Sequence, residues 1–88
     1  MNVKDMIIES NPDALLYDGC DASLVGVGGR CGQPDLAVYD YHKLIEVFEE
    51  KFSDDDDPQM AAQEWVDFNI VGGWIGDLTP IILYVAPI

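Results

Sequence analysis

The stretch DYHKLIEVFEEKF, residues 40–52, decides the fold. Its apolar residues recur at the spacing of one helical face: Tyr41, Leu44, Ile45, Phe48 and Phe52. Asp40 is a favoured N-cap residue, because its carboxylate can accept the free amide hydrogens of a first helical turn. The pattern predicts a helix over residues 41–52 that buries one side.

A second helix is predicted shortly after the first. Asp57 and Pro58 are residues favoured at the N-cap and at the first helical position. Apolar residues continue the pattern as far as Asn69, and Gly72-Gly73 predicts a left-handed stop. We expect the two helices to be antiparallel. We also expect Asn69 to bond the backbone of the following turn and Thr79 to brace the turn over residues 72–76.

Short β-type runs lie on both sides of these helices. Residues 23–27 and 36–39 predict two strands, and residues 79–86 predict a third, with its apolar residues 81–85 buried and Pro87 at its end. Residues 2–9 predict a short N-terminal helix, whereas the run Ala14–Tyr17 fits a strand or a helical turn. The expected fold class is α+β: a sheet of about three strands packed by two antiparallel helices, plus the N-terminal helix.

Length and composition indicate one folded domain over residues 1–88. The chain has 88 residues, and its hydrophobic fraction of 49% is ordinary for a globular protein, so high charge does not imply disorder here. No apolar run is long enough to span a membrane, and the N-terminus lacks the pattern of a signal peptide, so we expect a cytoplasmic protein. Cys20 and Cys31 form no CxxC motif; free thiols are expected, and a bridge between them stays open.

The charge is the unusual property of this chain. Seventeen acidic residues oppose four basic ones, which gives a net charge of −13, and no basic residue follows Lys51. Such a field repels nucleic acid and anionic membrane surfaces and attracts basic protein surfaces. Direct nucleic-acid binding is therefore not expected, although acidity can also serve solubility alone.

A subset of the acids lies where it does not help folding. Carboxylates in the second half of helix 41–52 oppose the helix dipole, and Glu46 and Glu50 repel each other at i, i+4. Asp57 is explained as a cap, but the three aspartates before it have no predicted structural role. Trp74 fits either a core position or an exposed anchor. The predicted partner-binding residues are Glu46, Glu49, Glu50, Asp54, Asp55, Asp56 and Trp74.

The sequence contains no convincing catalytic or ligand-binding motif. The glycines of residues 26–32 lack the spacing of a dinucleotide fingerprint or a P-loop, and they predict turns with positive φ instead. The aspartate run lacks the alternation and the central glycine of an EF-hand. His42 is predicted to lie on the surface in the first turn of its helix. We therefore expect no enzyme activity, no cofactor and no metal site.

Three blocks of the sequence resemble a family of small proteins from tailed bacteriophages and prophages. They are LVGV (residues 24–27), AVYD (residues 37–40) leading into Lys43, and FNIVGGWIGDLTP (residues 68–80). The resemblance covers residues 14–83. The family is largely uncharacterised, so the resemblance implies a phage context and no particular chemistry.

The leading hypothesis is a small acidic phage-type protein that binds and inhibits a host protein in the host cytoplasm. A defence nuclease, such as a restriction or CRISPR effector, would be bound by electrostatic contact that imitates DNA. One alternative is a self-associating accessory or structural protein. Another is a small metal-binding protein that uses carboxylates. The sequence leaves the partner and the oligomeric state open.

Overall fold

Residues 2–86 of the chain are described by a computed structural model, and they form helices and one sheet in the order α1–β1–β2–α2–α3–β3. The helices are α1 (Val3–Ser10), α2 (Tyr41–Lys51) and α3 (Pro58–Val66). The strands are β1 (Leu24–Gly28), β2 (Leu36–Asp40) and β3 (Ile81–Leu83). They form a three-stranded sheet in the order β1-β2-β3. The predicted α+β class is confirmed.

The helical hairpin of α2 and α3 begins at the predicted caps. Asp40 Oδ1 accepts the Lys43 amide hydrogen over 3.0 Å at the start of α2. Asp57 Oδ1 accepts that of Met60 over 3.2 Å at the start of α3, where Pro58 is the first helical residue. These caps satisfy amide groups that have no partner inside the helix. Both helix starts could therefore be predicted from local sequence.

The end of α3 differs from the prediction. A π-helical segment, Asp67–Val71, follows α3, and the Gly72 amide donates to the Asp67 carbonyl oxygen over 2.9 Å. Gly72 has φ −83, so it does not form the left-handed stop that was predicted. A glycine is required at the next position instead, because a Cβ on Gly73 would collide with the backbone oxygen of Asn69.

The sheet is mixed, and its two faces differ. β1 pairs antiparallel with β2, with an irregularity between Leu24 and Gly26, while β3 pairs parallel with β2. Tyr39 of β2 is fully buried on the face that packs into the core. On the opposite face a Cβ on Gly28 would lie 2.7 Å from Ile81 Cδ1, so the Ile81 side chain reaches across β2 to β1. Gly28, Val38 and Ile81 therefore lie together on the outer face of the sheet.

β3 is shorter and more exposed than predicted. It contains the three residues Ile81–Leu83, and both Ile81 and Leu83 are exposed. The prediction of a buried strand over residues 79–86 is wrong because β3 is the last strand of the sheet and has a neighbour on one side only. The predicted end at Pro87 lies outside the described residues.

The predicted N-terminal helix α1 is confirmed. Hydrogen bonds join its C-terminal end to Asp35, the residue before β2. Asn2 caps α1 by accepting the Asp5 amide hydrogen over 2.9 Å. At its other end the Ser10 hydroxyl donates to the Asp35 carboxylate, and the Asn11 amide donates to the Asp35 carbonyl oxygen over 2.8 Å. The run 14–17 is irregular, so it is neither the strand nor the helical turn that was considered.

One cluster of buried side chains joins the helices and the sheet: Ile7, Cys20, Leu24, Ala37, Tyr39, Leu44, Ile45, Phe48, Ala62, Val66 and Ile70. Cys20 has a free thiol within this core, and burial raises its pKa. Cys31 has a free thiol in the exposed connection between β1 and β2. None of the helices in residues 2–86 has the length and apolarity needed to cross a membrane.

Candidate protein-binding surfaces

The predicted carboxylates lie in the second half of α2 and in the turn between α2 and α3. All except the half-buried Glu49 are exposed. We call this group the acidic tip: Glu46, Glu49, Glu50, Asp54, Asp55 and Asp56. The one ion pair within residues 2–86 joins Lys4 to Asp21 over 3.3 Å, so no carboxylate of the acidic tip is paired there. The tip is a surface of uncompensated negative charge.

The two lysines of α2 do not neutralise this surface. Lys51 Nζ lies 4.9 Å from the centre of the Phe48 ring, in a cation–π contact. Lys43 lies beside Glu46 and Glu50 around a shallow hollow of about 260 Å³, without coming within ion-pair distance of either. Glu46, Glu49 and Glu50 oppose the C-terminal end of the α2 dipole, and Glu46 and Glu50 repel each other, so these three carboxylates do not stabilise the helix.

One aspartate of the acidic tip has a structural role that the sequence analysis missed. Asp55 Oδ1 accepts the Asp57 amide hydrogen over 3.1 Å and so supports the turn before α3. Aspartate commonly makes this bond to a backbone amide two residues ahead, and that preference could have indicated it. The structure gives Asp54 and Asp56 no comparable bond within its described part. Those two side chains are free for recognition.

Trp74 does not join the acidic tip. It follows the π-helical segment at the far end of α3, and helical residues 58–71 advance about 1.5 Å each, or about 20 Å in all. Trp74 is 75% exposed, which excludes the core position considered for it. Ile75 is 60% exposed and Phe68 is 81% exposed on the same part of the chain. A second, apolar surface therefore lies away from the tip.

The segment that presents Trp74, residues 72–80, is named here the Trp74 loop. The Thr79 hydroxyl accepts the Ile75 amide hydrogen over 2.9 Å and donates to the Gly76 carbonyl oxygen over 2.6 Å. Gly76 has φ +114, a conformation that favours glycine. The bracing role predicted for Thr79 is confirmed. The Asn69 amide donates to the Trp65 carbonyl oxygen over 3.0 Å, so the bond predicted to the following turn is wrong.

Two clefts flank the Trp74 loop. One, of about 340 Å³, is bordered by Val71, Trp74 and Pro80. The other, of about 400 Å³, is bordered by Arg30 and Gln33. Leu36, Asp77 and Ile81 line both. Mostly apolar walls with few polar groups are typical of ligand-binding clefts.

The apolar surface continues along the β3 edge, defined as residues 81–85. Leu83, Tyr84 and Val85 are exposed. The Tyr84 ring packs against the Tyr41 ring, with 4.8 Å between their centroids. Sequence reasoning missed this edge. One indication was present: residues 81–85 are apolar without the alternation expected of a strand with one buried face.

Residues of the types common in catalytic, phosphate-binding or metal sites are dispersed over the structure. His42 is exposed in the first turn of α2, as predicted. Gly32 has φ +77, which agrees with the predicted turn, whereas Gly26 and Gly28 lie within β1. Within residues 2–86 no group of three or more His, Cys, Asp or Glu side chains is placed to hold a metal ion. The metal-binding alternative thus has no ligand cluster in that range.

No protein-family model, curated protein or solved structure matches this chain, so the resemblance to phage proteins stays a prediction.

Proposed function

We propose that this protein binds a basic surface of another protein through its acidic tip and inhibits that partner by occupying a site made for nucleic acid. The observation that carries the proposal is the cluster of exposed carboxylates without an ion pair at the α2–α3 turn. The three glutamates of the tip weaken α2 locally, and side chains that oppose local stability are candidates for a role in recognition.

Carboxylates suit this role because they share two properties with DNA phosphates. Both carry negative charge and accept hydrogen bonds from lysine and arginine, often in bidentate fashion. The net charge of −13 adds long-range attraction, which accelerates encounter with a basic partner and falls with ionic strength. The same charge opposes direct binding of nucleic acid to this chain.

The resemblance of residues 14–83 to phage proteins supports a bacterial partner. A defence nuclease, for example a restriction or CRISPR effector, has a basic groove for nucleic acid. An acidic protein that fills the groove would inhibit such an enzyme by competition.

Self-association is the rival function, and the exposed apolar residues at the β3 edge favour it. Charge opposes it. Two copies that met there would each bring a net charge of −13, and residues 52–86 contain no basic residue to offset the repulsion.

The test compares two variants with the same change in charge. Asp54→Lys with Asp56→Lys alters the acidic tip and leaves the structural bond of Asp55 intact. Glu9→Lys with Asp13→Lys makes an equal change outside the tip, on exposed residues of and after α1. Immobilised protein is exposed to bacterial lysate at low and high salt, and captured proteins are challenged with duplex DNA.

We expect the wild type and the Glu9/Asp13 variant to capture the same proteins at low salt, and duplex DNA or high salt to release them. The Asp54/Asp56 variant should capture none of them. Equal capture by both variants, or capture that DNA does not displace, would overturn the proposed function.

A further inference from the structure

The outer side of β3 is an unpaired sheet edge. β3 is the last strand in the sheet order, and residues 81–86 take part in no backbone hydrogen bond outside the sheet among the described residues. Open edges of this kind pair readily with another extended chain. Proteins protect such edges with charged side chains, prolines or very short strands. β3 is short, but residues 81–86 read IILYVA and carry neither charge nor proline. The edge is therefore available to a further strand.

The side chains beside this edge are apolar and accessible. Ile81 is 40% exposed, and Leu83, Tyr84 and Val85 are more exposed still. Covering such side chains contributes about 25 cal/mol for each Å² of apolar surface removed from water. An added strand would gain this contribution as well as the main-chain hydrogen bonds of the edge.

The Trp74 loop supplies an anchor at the start of β3. The cleft of about 340 Å³ between Trp74 and Ile81 has room for a large apolar side chain. Trp74 borders this cleft, and the Thr79 hydrogen bonds to Ile75 and Gly76 brace the backbone that follows it. Tryptophans are frequent among the residues that contribute most to binding.

Charge identifies the occupant. Beyond the aspartate run 54–57, residues 58–86 contain three acidic residues, Glu64, Asp67 and Asp77, and no basic one, while Arg30 lines the neighbouring cleft. Asp77 lines both clefts, and Asp67 lies beside Phe68 in the π-helical segment. A second copy of the chain would bring like charge to this surface, whereas lysines and arginines that flank an apolar segment would be attracted.

We infer that the β3 edge and the Trp74 loop bind an extended apolar segment, flanked by lysine or arginine, which adds to the sheet as a fourth strand. The inference deepens the proposed function, because the segment belongs to a basic protein partner. It uses a surface remote from the acidic tip, so the two contacts can be tested separately.

The probe is a synthetic peptide in which valine alternates with threonine between lysines at both ends. Binding is measured by fluorescence anisotropy, and the site of binding by hydrogen exchange of the backbone amides. One control peptide has prolines in place of the threonines, which removes every second amide hydrogen and disfavours pairing with a sheet. A second has glutamates in place of the lysines.

The protein variants all replace exposed apolar residues. Trp74→Ala and Leu83→Lys alter the proposed site. Met60→Ala and Met60→Lys are the controls. They introduce the same two residues at an exposed apolar position in the first turn of α3, near the acidic tip. Circular dichroism checks that each variant folds.

We expect the lysine-flanked peptide to bind the wild type and to protect amides of residues 81–86 from exchange. Trp74→Ala and Leu83→Lys should each weaken binding about tenfold or more, as loss of a main contact does. The Met60 variants and the Asp54/Asp56 variant should retain the protection. The control peptides should bind much more weakly.

Several results would overturn the inference. They are peptide binding without protection of residues 81–86, equal binding of the proline peptide, and equal binding by the Leu83→Lys variant. A dimer of the wild type in sedimentation that Leu83→Lys abolishes would assign the edge to a second copy instead. The proposed function would stand if the acidic tip still governed capture while the probe peptide failed to bind.

Discussion

The hydroxyl of Tyr41 lies 2.6 Å from a carboxylate oxygen of Asp67, to which it donates a hydrogen bond. Tyr41 opens α2, and Asp67 opens the π-helical segment that leads to the Trp74 loop. The Tyr41 ring also packs against Tyr84, just after β3. One side chain therefore links α2 to both parts of the apolar surface.

Because of this contact, we expect the stability of the protein to fall at alkaline pH. Partial burial and the Asp67 carboxylate raise the pKa of Tyr41 from 10.0 to about 12. The unfolded chain releases this proton first, so the contribution of the contact is complete below pH 10 and is lost as pH rises towards 12.

We expect the wild type to lose free energy of unfolding more steeply than Tyr41→Phe across that interval. Urea denaturation at a series of pH values measures both slopes. Tyr17 and Tyr39, whose pKa values burial also raises, titrate in both proteins and cancel in the comparison. Parallel curves for the two proteins would contradict the assignment to Tyr41.

Gly73→Ala should destabilise the protein by about 1–3 kcal/mol, the usual cost of forcing atoms into occupied space. The added methyl group would collide with the carbonyl oxygen of Asn69, which lies within the π-helical segment. Gly26→Ala is the matched control, because no heavy atom of the surroundings lies within 4 Å of its Cβ position. Denaturant titration should separate the two variants, and similar losses would contradict the described packing at Gly73.

Asp57→Ala should cost about 1 kcal/mol, because it removes the N-cap of α3. Asp56→Ala removes the same charge from the adjacent position, where no structural bond is lost, so its stability should equal or exceed that of the wild type. Thermal unfolding of the two variants at low and high salt makes the comparison. Equal destabilisation would mean that Asp56 has a role in folding.

The features that could be predicted from sequence are those fixed by neighbouring residues. The caps at Asp40 and Asp57 act on amides three residues ahead, and the apolar spacing of α2 is local as well. The strands β1 and β2 were placed within one residue by their β-type runs. The carboxylates of the acidic tip lie close together in sequence, so their clustering followed once the hairpin was predicted.

The features that were missed depend on distant parts of the chain. Apolar residues 81–83 resemble a buried strand, but the order of the strands, which a local pattern does not specify, leaves them at an edge. The π-helical segment depends on how residues 67–71 pack, since the same residues are compatible with an ordinary helix. The separation of Trp74 from the acidic tip followed from the predicted length of α3, but the exposure of Trp74 depends on packing that a local pattern does not specify.

The contrast between the two thiols provides a means of observing this molecule without mutation. Cys20 is buried and has a raised pKa, whereas Cys31 is exposed next to Arg30, which borders one of the clefts beside the Trp74 loop. Because thiolates react with maleimides, a fluorophore will attach selectively at Cys31 in the folded protein. Its emission would then report, in real time, on what approaches that side of the sheet.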